Sequence, residues 1–391
     1  MPLWRPIGNK FTHQDENCWP KEQGCWTLPP GLTSSIGIQL ASKFSVGTEL
    51  EESAKTNHKM GVYLRAADLV EDEDMLVTLG QKYLPAMDTE RYRWLYRENP
   101  FGSARVWLAS DDASETPVGM AAIFPRRGYI ADEEVLGCVL GDFCISENYR
   151  SLGPAVQLQR ACLSLIKSEE FAFCYDFPSS GMVAVYKFLG VAEADRSLRM
   201  VKFLKADAAV RRLVPSEMVS GVISKGANGV LALRDRVRST RGSVDYRLNQ
   251  QCSDEYSELA VQVGSSLGDC TLRSAEYLNW RYHDNPRYRY ESLAAYRDGK
   301  LQGYCFFSVD NDQVHISDLF GTQEQEIFDG LLGELGRLLR SRGISAIHIS
   351  VLASDPRLSL LKKLGFWSRE SVPVVTCGGS RFLLMHGDRE S

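Results

Sequence analysis

The stretch that decides the fold is Asp142-Phe-Cys-Ile145-Ser-Glu-Asn-Tyr149-Arg150-Ser-Leu-Gly153-Pro-Ala155-Val-Gln-Leu158. The residues from 135 are rich in Val, Leu, Phe and Ile and predict a strand over 135–145. A short turn follows, and a helix is expected over 153–168. A strand-to-helix turn of small residues exposes helix N-terminal N–H groups, which bind phosphate with the help of the helix dipole. Gly153 and Ala155 allow a pyrophosphate to approach the backbone closely, and Arg150 adds positive charge. Pro154 removes one donor but suits a first helical turn. On their own, these residues fit a plain strand–turn–helix with a solvated arginine equally well.

Outward from this stretch, the pattern is regular from Val62 onward. Val62 and Leu64 alternate as in a short strand, and Asp68-Leu-Val-Glu71 reads as a helix start with its reciprocal glutamate. That helix should run to about Tyr83. A second helix (88–97) and strands at 104–109, 117–124 and 135–145 follow. Beyond the 153–168 helix come a strand (171–176), a helix (181–189) and a strand near 199–204. Strands first and strand–helix alternation later predict a mixed sheet with helices on its faces.

The chain then repeats itself. Trp94-Leu-Tyr96-Arg-Glu98-Asn99-Pro100 returns as Trp280-Arg-Tyr282-His-Asp284-Asn285-Pro286, a constant offset of 186 residues. Asn-Pro should end a helix in both copies. Asp298-Gly299 between two apolar runs marks a hairpin, and a helix (322–342), strand (345–350) and helix (355–364) echo the first copy. A shared motif with a shared element order is the signature of duplication. The paired tryptophans and tyrosines read as core aromatics closing helix on sheet.

The length of 391 residues fits two such domains, and 44% hydrophobic with 24% charged residues is ordinary for a globular chain. A net charge of −5 argues against nucleic acid as the main partner. The ten cysteines contain no CxxC, which predicts reduced thiols in the cytoplasm. The six histidines show no metal-ligand spacing, so no metal is expected, and no apolar run is long enough for a membrane span. The first 60 residues lack periodicity and read as a loose extension. The basic cluster Arg234-Asp-Arg236-Val-Arg238 with Arg241 reads as a solvated linker, or as a dock for an acidic acyl carrier protein.

The stretch around Arg150-Ser-Leu-Gly153-Pro-Ala155 resembles the acyl-CoA pyrophosphate loop of the GNAT superfamily of N-acyltransferases. In that family an (Arg/Gln)-x-x-Gly-x-(Gly/Ala) turn is followed by a strand and a helix reading Asn-x-x-Ala-x-x-x-Tyr-x-x-x-Gly-Phe. Here that helix reads Ser179-Ser-Gly-Met182-Val-Ala-Val-Tyr186-Lys-Phe-Leu-Gly190-Val191. Tyr186 and Gly190 keep the spacing, whereas Ser179, Met182 and Val191 replace the usual residues. Glu147 and Ser151 also depart from the family's loop. The second copy ends Leu360-Leu-Lys-Lys-Leu364-Gly365-Phe366, but its turn Asp318-Leu-Phe-Gly321-Thr-Gln-Glu-Gln-Glu326 has three carboxylates and no phosphate-cradling pattern.

The resemblance implies an α/β (α+β) fold of two GNAT-like domains, each a mixed, mostly antiparallel twisted sheet flanked by helices. The expected division is an extension (1–60), a catalytic domain (61–206), a linker (207–250) and a degenerate copy (251–391). It implies an N-acyltransferase that moves an acyl group, acetyl first among the choices, from acyl-CoA to a small-molecule or peptide amine by direct attack. Phe143, Cys144 and Ile145 would hold the pantetheine; Arg150, Ser151, Leu152, Gly153, Pro154 and Ala155 the pyrophosphate; and Ser179 would close the site. Tyr186 would protonate the leaving thiolate and Asp142 would be the general base, with Glu147 more simply a solvated turn residue. Cys144 reads as a small apolar residue rather than a nucleophile. Peptidoglycan-type aminoacyl-tRNA transferases and a non-catalytic binding protein share the same tandem pattern and are the competing expectations.

Overall fold

A computed structural model describes residues 61–84, 87–130, 133–168, 170–205, 244–267, 270–322 and 324–378. The expected 1–60 extension and the basic cluster at 234–241 lie outside the described residues. The first half contains β1 (Val62–Ala66), α1 (Glu73–Tyr83), α2 (Thr89–Tyr92), β2 (Arg105–Asp111), β3 (Pro117–Ile130), β4 (Glu133–Ile145), α3 (Leu152–Lys167), β5 (Phe173–Asp176), α4 (Ser180–Phe188) and β6 (Glu193–Phe203). The second holds β7 (Val244–Leu248), α5 (Asp254–Leu267), β8 (Cys270–Thr271), α6 (Ala275–Leu278), β9 (Tyr290–Arg297), β10 (Lys300–Asp310) and β11 (Gln313–Gly321). It closes with α7 (Gln325–Ser341), β12 (Ala346–Leu352), α8 (Leu358–Lys363) and β13 (Trp367–Gly378).

Most expected elements appear within a few residues of their predicted bounds, and the differences have local causes. Asp68 accepts hydrogen bonds from the backbone N–H of Val70 and Glu71 at 2.8 and 2.9 Å, and so closes a turn rather than capping the helix. Strand β3 runs on past Phe124 because the β3–β4 hairpin stays in register to Ile130↔Glu133, with Pro125 and Arg126 inside it. The strand expected near 199–204 starts earlier, at Glu193, and β7 falls within the stretch read as a linker.

Both copies of the Trp-x-Tyr motif form a π-helical turn, Arg93–Arg97 after α2 and Asn279–His283 after α6. The two turns face each other. The Trp94 indole N–H donates to the Trp280 carbonyl at 2.9 Å, and the Trp280 indole N–H returns the bond to Trp94 at 3.1 Å. Their rings stack at 4.8 Å. The predicted core aromatics are therefore the reciprocal centre of the duplication, in a buried cluster that draws Leu76, Tyr92 and Phe124 from one half and Tyr256, Tyr282 and Tyr304 from the other.

The described strands form one continuous sheet, β1-β2-β3-β4-β5-β13-β6-β12-β11-β10-β9-β7, with β8 paired to β3. The last strands are exchanged. β13, from the end of the chain, lies against β5, and β6, from the first half, lies against β12. They also pair with each other over Trp367↔Val201 to Val375↔Glu193. Helices α3 and α4 cover one face of the first half, and α7 and α8 one face of the second, each over its own apolar cluster.

Candidate functional site

Strands β4 and β5 are parallel, but they pair only at Cys138↔Cys174 and Val139↔Tyr175. Beyond Val139 the two diverge, which leaves the last residues of β4 facing a gap instead of a neighbour. A backbone edge bounded in this way can pair with the amide groups of an extended ligand. The β3–β4 register slips between Met120↔Cys144 and Ala122↔Gly141, so β4 carries an extra residue at Asp142-Phe143. Asp142 sits at the slip with φ of 42°, in the left-handed region that aspartate tolerates better than most residues.

A cleft of about 440 Å³ opens at this divergence. Phe143, Cys144, Ile145, Arg150, Ser151, Leu152, Ala155 and Ser179 line it, as do Tyr83, Gly181, Met182 and Val185. Two helix N-termini face it without side-chain caps: Ser151 before α3 and Ser179 before α4 make no capping hydrogen bond. Their first N–H groups, together with the positive ends of both helices, suit an anion. A Cβ placed on Gly153 or Gly181 would meet no atom within 4 Å, so the space over both turns is open. The Arg150 side chain is 61% exposed, with its Nε donating to the Ile145 carbonyl at 3.3 Å. A polar groove of about 520 Å³ adjoins the cleft, lined by Lys82, Ser146, Glu147 and Asn148, and shares Tyr83 and Arg150 with it.

At the other end of the gap, the Asp142 carboxylate is fully engaged. Arg91 donates to its two oxygens at 2.7 and 3.0 Å, and the Tyr96 hydroxyl donates to Oδ2 at 2.8 Å. Arg91 is itself held on α2, whose N-cap Asp88 accepts its backbone N–H at 2.8 Å. The second half adds an ion pair to the same cap, Arg287 to Asp88 at 2.6 Å. The Cys144 thiol is pushed up to about 12, first by burial, which agrees with the reading of it as an apolar residue.

The geometry opposes the role expected for Tyr186. Its side chain is 1% exposed, its hydroxyl donates to Asp176 Oδ2 at 2.8 Å, and it accepts from Gln159 Nε2 at 3.0 Å. The hydroxyl ties α4 to β5 and α3 inside the core. Burial, then the Asp176 charge, push its pKa well above 10, so it is a weaker acid than a free thiol at about 8.5. Family spacing locates the residue, but spacing alone does not show which way the hydroxyl points. Gly153 and Pro154 sit in the turn without lining the cleft.

The corresponding place in the second half differs. β11 and β12 also diverge, after Ile316↔Ile349. Asp318 there is buried against Arg273 at 3.1 Å, and both side chains are 1% exposed. Glu324 and Glu326 flank the start of α7, both paired with Arg297, so carboxylates already occupy the helix's positive end. A Cβ on Gly321 would lie 2.7 Å from the Gln302 carbonyl oxygen. Sequence reasoning missed Tyr83, Gly181, Val185 and the Arg91–Asp142 pair, because no local pattern links positions 51 residues apart.

No protein-family model matches the chain, and no curated protein matches it in sequence. Solved structures do. An Enterococcus faecalis protein described as a probable N-acyltransferase superposes with a TM-score of 0.60 at 12% identity, over 83% of this chain and 74% of that one. Saccharomyces cerevisiae N-myristoyltransferase with bound myristoyl-CoA gives 0.53 at 10% identity, over 84% and 81%. A tandem GNAT protein from the clavulanic acid biosynthesis pathway gives 0.50 at 13%, over 81% and 98%. With its repeated halves, split strands and exchanged ends, the chain has the tandem fold of the GNAT superfamily.

Proposed function

We propose that the chain is an acyl-CoA-dependent N-acyltransferase whose donor site is the cleft of the first half. The observation that carries this reading is that seven residues of the strand–turn–helix stretch, with Ser179 of the later helix, line one cleft beneath two uncapped helix N-termini. Phe143, Cys144 and Ile145 offer the free edge of β4 to the pantetheine amides. The turn from Arg150 through Ser151, Leu152, Gly153, Pro154 and Ala155 receives the pyrophosphate, and Ser179 borders the opposite helix.

The reaction needs a bound thioester and an amine held in line with it. The acceptor ammonium first gives a proton to solvent; the free amine nitrogen attacks the thioester carbon, the C–S bond breaks, the nitrogen gives a second proton to solvent, and the thiolate takes one up. Asp142 stands beside this end of the cleft and offsets the charge of the incoming ammonium, its orientation fixed by Arg91 and Tyr96. Tyr186 holds α4 in place from the core, and solvent protonates the thiolate. The acceptor is an amine of a small molecule or peptide, and the partnership with an acyl carrier protein is an alternative source of the same acyl group.

Titration of CoA into the protein by calorimetry tests the donor site. Micromolar binding of one CoA per chain is expected, and no binding removes the proposal. Thiol release from acetyl-, malonyl- and longer acyl-CoA across a panel of amines then identifies acyl group and acceptor.

A further inference from the structure

Three cysteines stand in one row across the sheet. Cys138 on β4 is in register with Cys174 on β5, and Cys174 is in register with Cys377 on β13. All three belong to, or pack against, the apolar cluster under α3. Cys174 thus has a cysteine directly opposite it on each neighbouring strand. Cys138 and Cys174 are buried, whereas Cys377 is partly exposed near the end of β13. Among the described residues, no group of three or more His, Cys, Asp or Glu could hold a metal ion.

We propose that Cys174 and Cys377 form a disulfide when the protein meets a small-molecule disulfide such as oxidised glutathione. Facing residues on adjacent antiparallel strands have Cα atoms about 4.5–5.5 Å apart, inside the range a disulfide spans. The partly exposed Cys377 attacks the reagent through its thiolate, forming a mixed disulfide and releasing one thiol. Cys174 then attacks the Cys377 sulfur, forming the internal bond and releasing the second thiol. Two protein thiols are thus oxidised and one reagent disulfide is reduced. The hydrogen bond to Cys174, and then burial, raise the Cys377 thiol well above its usual range. Oxidation is therefore slow at neutral pH and quickens as the pH rises.

The bond joins the exchanged last strand to β5 of the first half. The ring it closes encloses the whole second half, about 200 residues, so the unfolded chain loses a large share of its freedom. Oxidation acts as a staple on the exchange.

The full-length chain is incubated with oxidised glutathione at pH 8, alkylated, digested without reduction and mapped by mass spectrometry. A linked peptide pair containing Cys174 and Cys377 is expected, together with a faster-running band on a non-reducing gel that dithiothreitol reverses. The peptide pair should vanish in Cys377→Ser and in Cys174→Ala but persist in Cys138→Ser. The oxidised protein should unfold at a higher urea midpoint than the reduced one. Glutathione left attached to Cys377 with no internal bond, a Cys138–Cys174 pair in its place, or a lower midpoint on oxidation would each overturn the proposal. Cys377→Ser, at a partly exposed strand end, keeps the test open if Cys174→Ala folds poorly.

Discussion

Tyr186→Phe separates a catalytic hydroxyl from a structural one. The substitution removes a donor to the buried Asp176 carboxylate at 2.8 Å and an acceptor for Gln159 at 3.0 Å, while the ring stays in place. A hydrogen bond to a charged group contributes about 1.5–3 kcal/mol, and leaving a buried carboxylate short of a partner sits at the upper end. The expected loss is therefore about 2–3 kcal/mol, or roughly 5–10 °C in Tm for domains of this size. The coupling should appear in a double-mutant cycle with Asp176→Asn, where the penalty shrinks because the charge is gone. Activity should fall by a few-fold at most, since the phenol is turned away from the cleft and held above pKa 10. A proton donor to the thiolate would behave oppositely, losing about 10²–10⁴-fold in kcat at unchanged stability. Calorimetric melting and thiol-release kinetics on one preparation decide between them. A hundred-fold loss of kcat with an unchanged Tm would refute the structural reading.

The remaining predictions are read by melting, CoA binding and urea unfolding. Gly153→Val enters open space, so Tm should be unchanged while CoA affinity falls at least ten-fold; Gly321→Val meets backbone at 2.7 Å and should destabilise instead. Arg91→Ala strips Asp142 of its bidentate partner and should cost about 2–4 kcal/mol, measured by urea unfolding, as for other partly buried ion pairs with one member removed. His315 and His348, stacked on adjacent strands at 4.7 Å, are both held down to about 4 by burial, below the unfolded value near 6.5. The unfolded chain therefore takes up protons first as pH falls, and stability should drop between pH 6.5 and 4, by on the order of 2 kcal/mol after allowing for solvent screening. His348→Asn should flatten that slope in urea midpoints taken at pH 7 and pH 5.

The legibility of the sequence followed the range of its patterns. Element order, the duplication and the cleft wall from Phe143 to Ala155 were all readable, because alternation, turn chemistry and a fixed offset are local signals. The direction of a side chain was not. Tyr186 lies where the family spacing puts it, yet its hydroxyl is spent on Asp176 and Gln159, partners that meet it only once α3, β5 and α4 are packed. The hold of Arg91 on Asp142 and the exchange of β6 with β13 are likewise products of tertiary pairing. Neither strand's sequence states which half it will join.

That exchange bears on why a half with a closed turn persists. In the second half Asp318 is locked to Arg273, Glu324 and Glu326 occupy the start of α7, and Gly321 is walled by backbone, so the features that open the first cleft are each filled by the protein's own groups. The first half is completed by it. Strand β5 has β13 as its outer neighbour, and β6 is flanked by β13 and β12, both from the second half. Removing the second half would expose three strand edges, one of β5 and both of β6, and break the Trp94–Trp280 pair, whose reciprocal bonds bury an indole N–H from each side. Arg287 of the second half also braces the Asp88 cap of the helix that positions Arg91. The second half thus serves as the first half's sheet edge, core and brace, whatever its own turn at Gly321 admits.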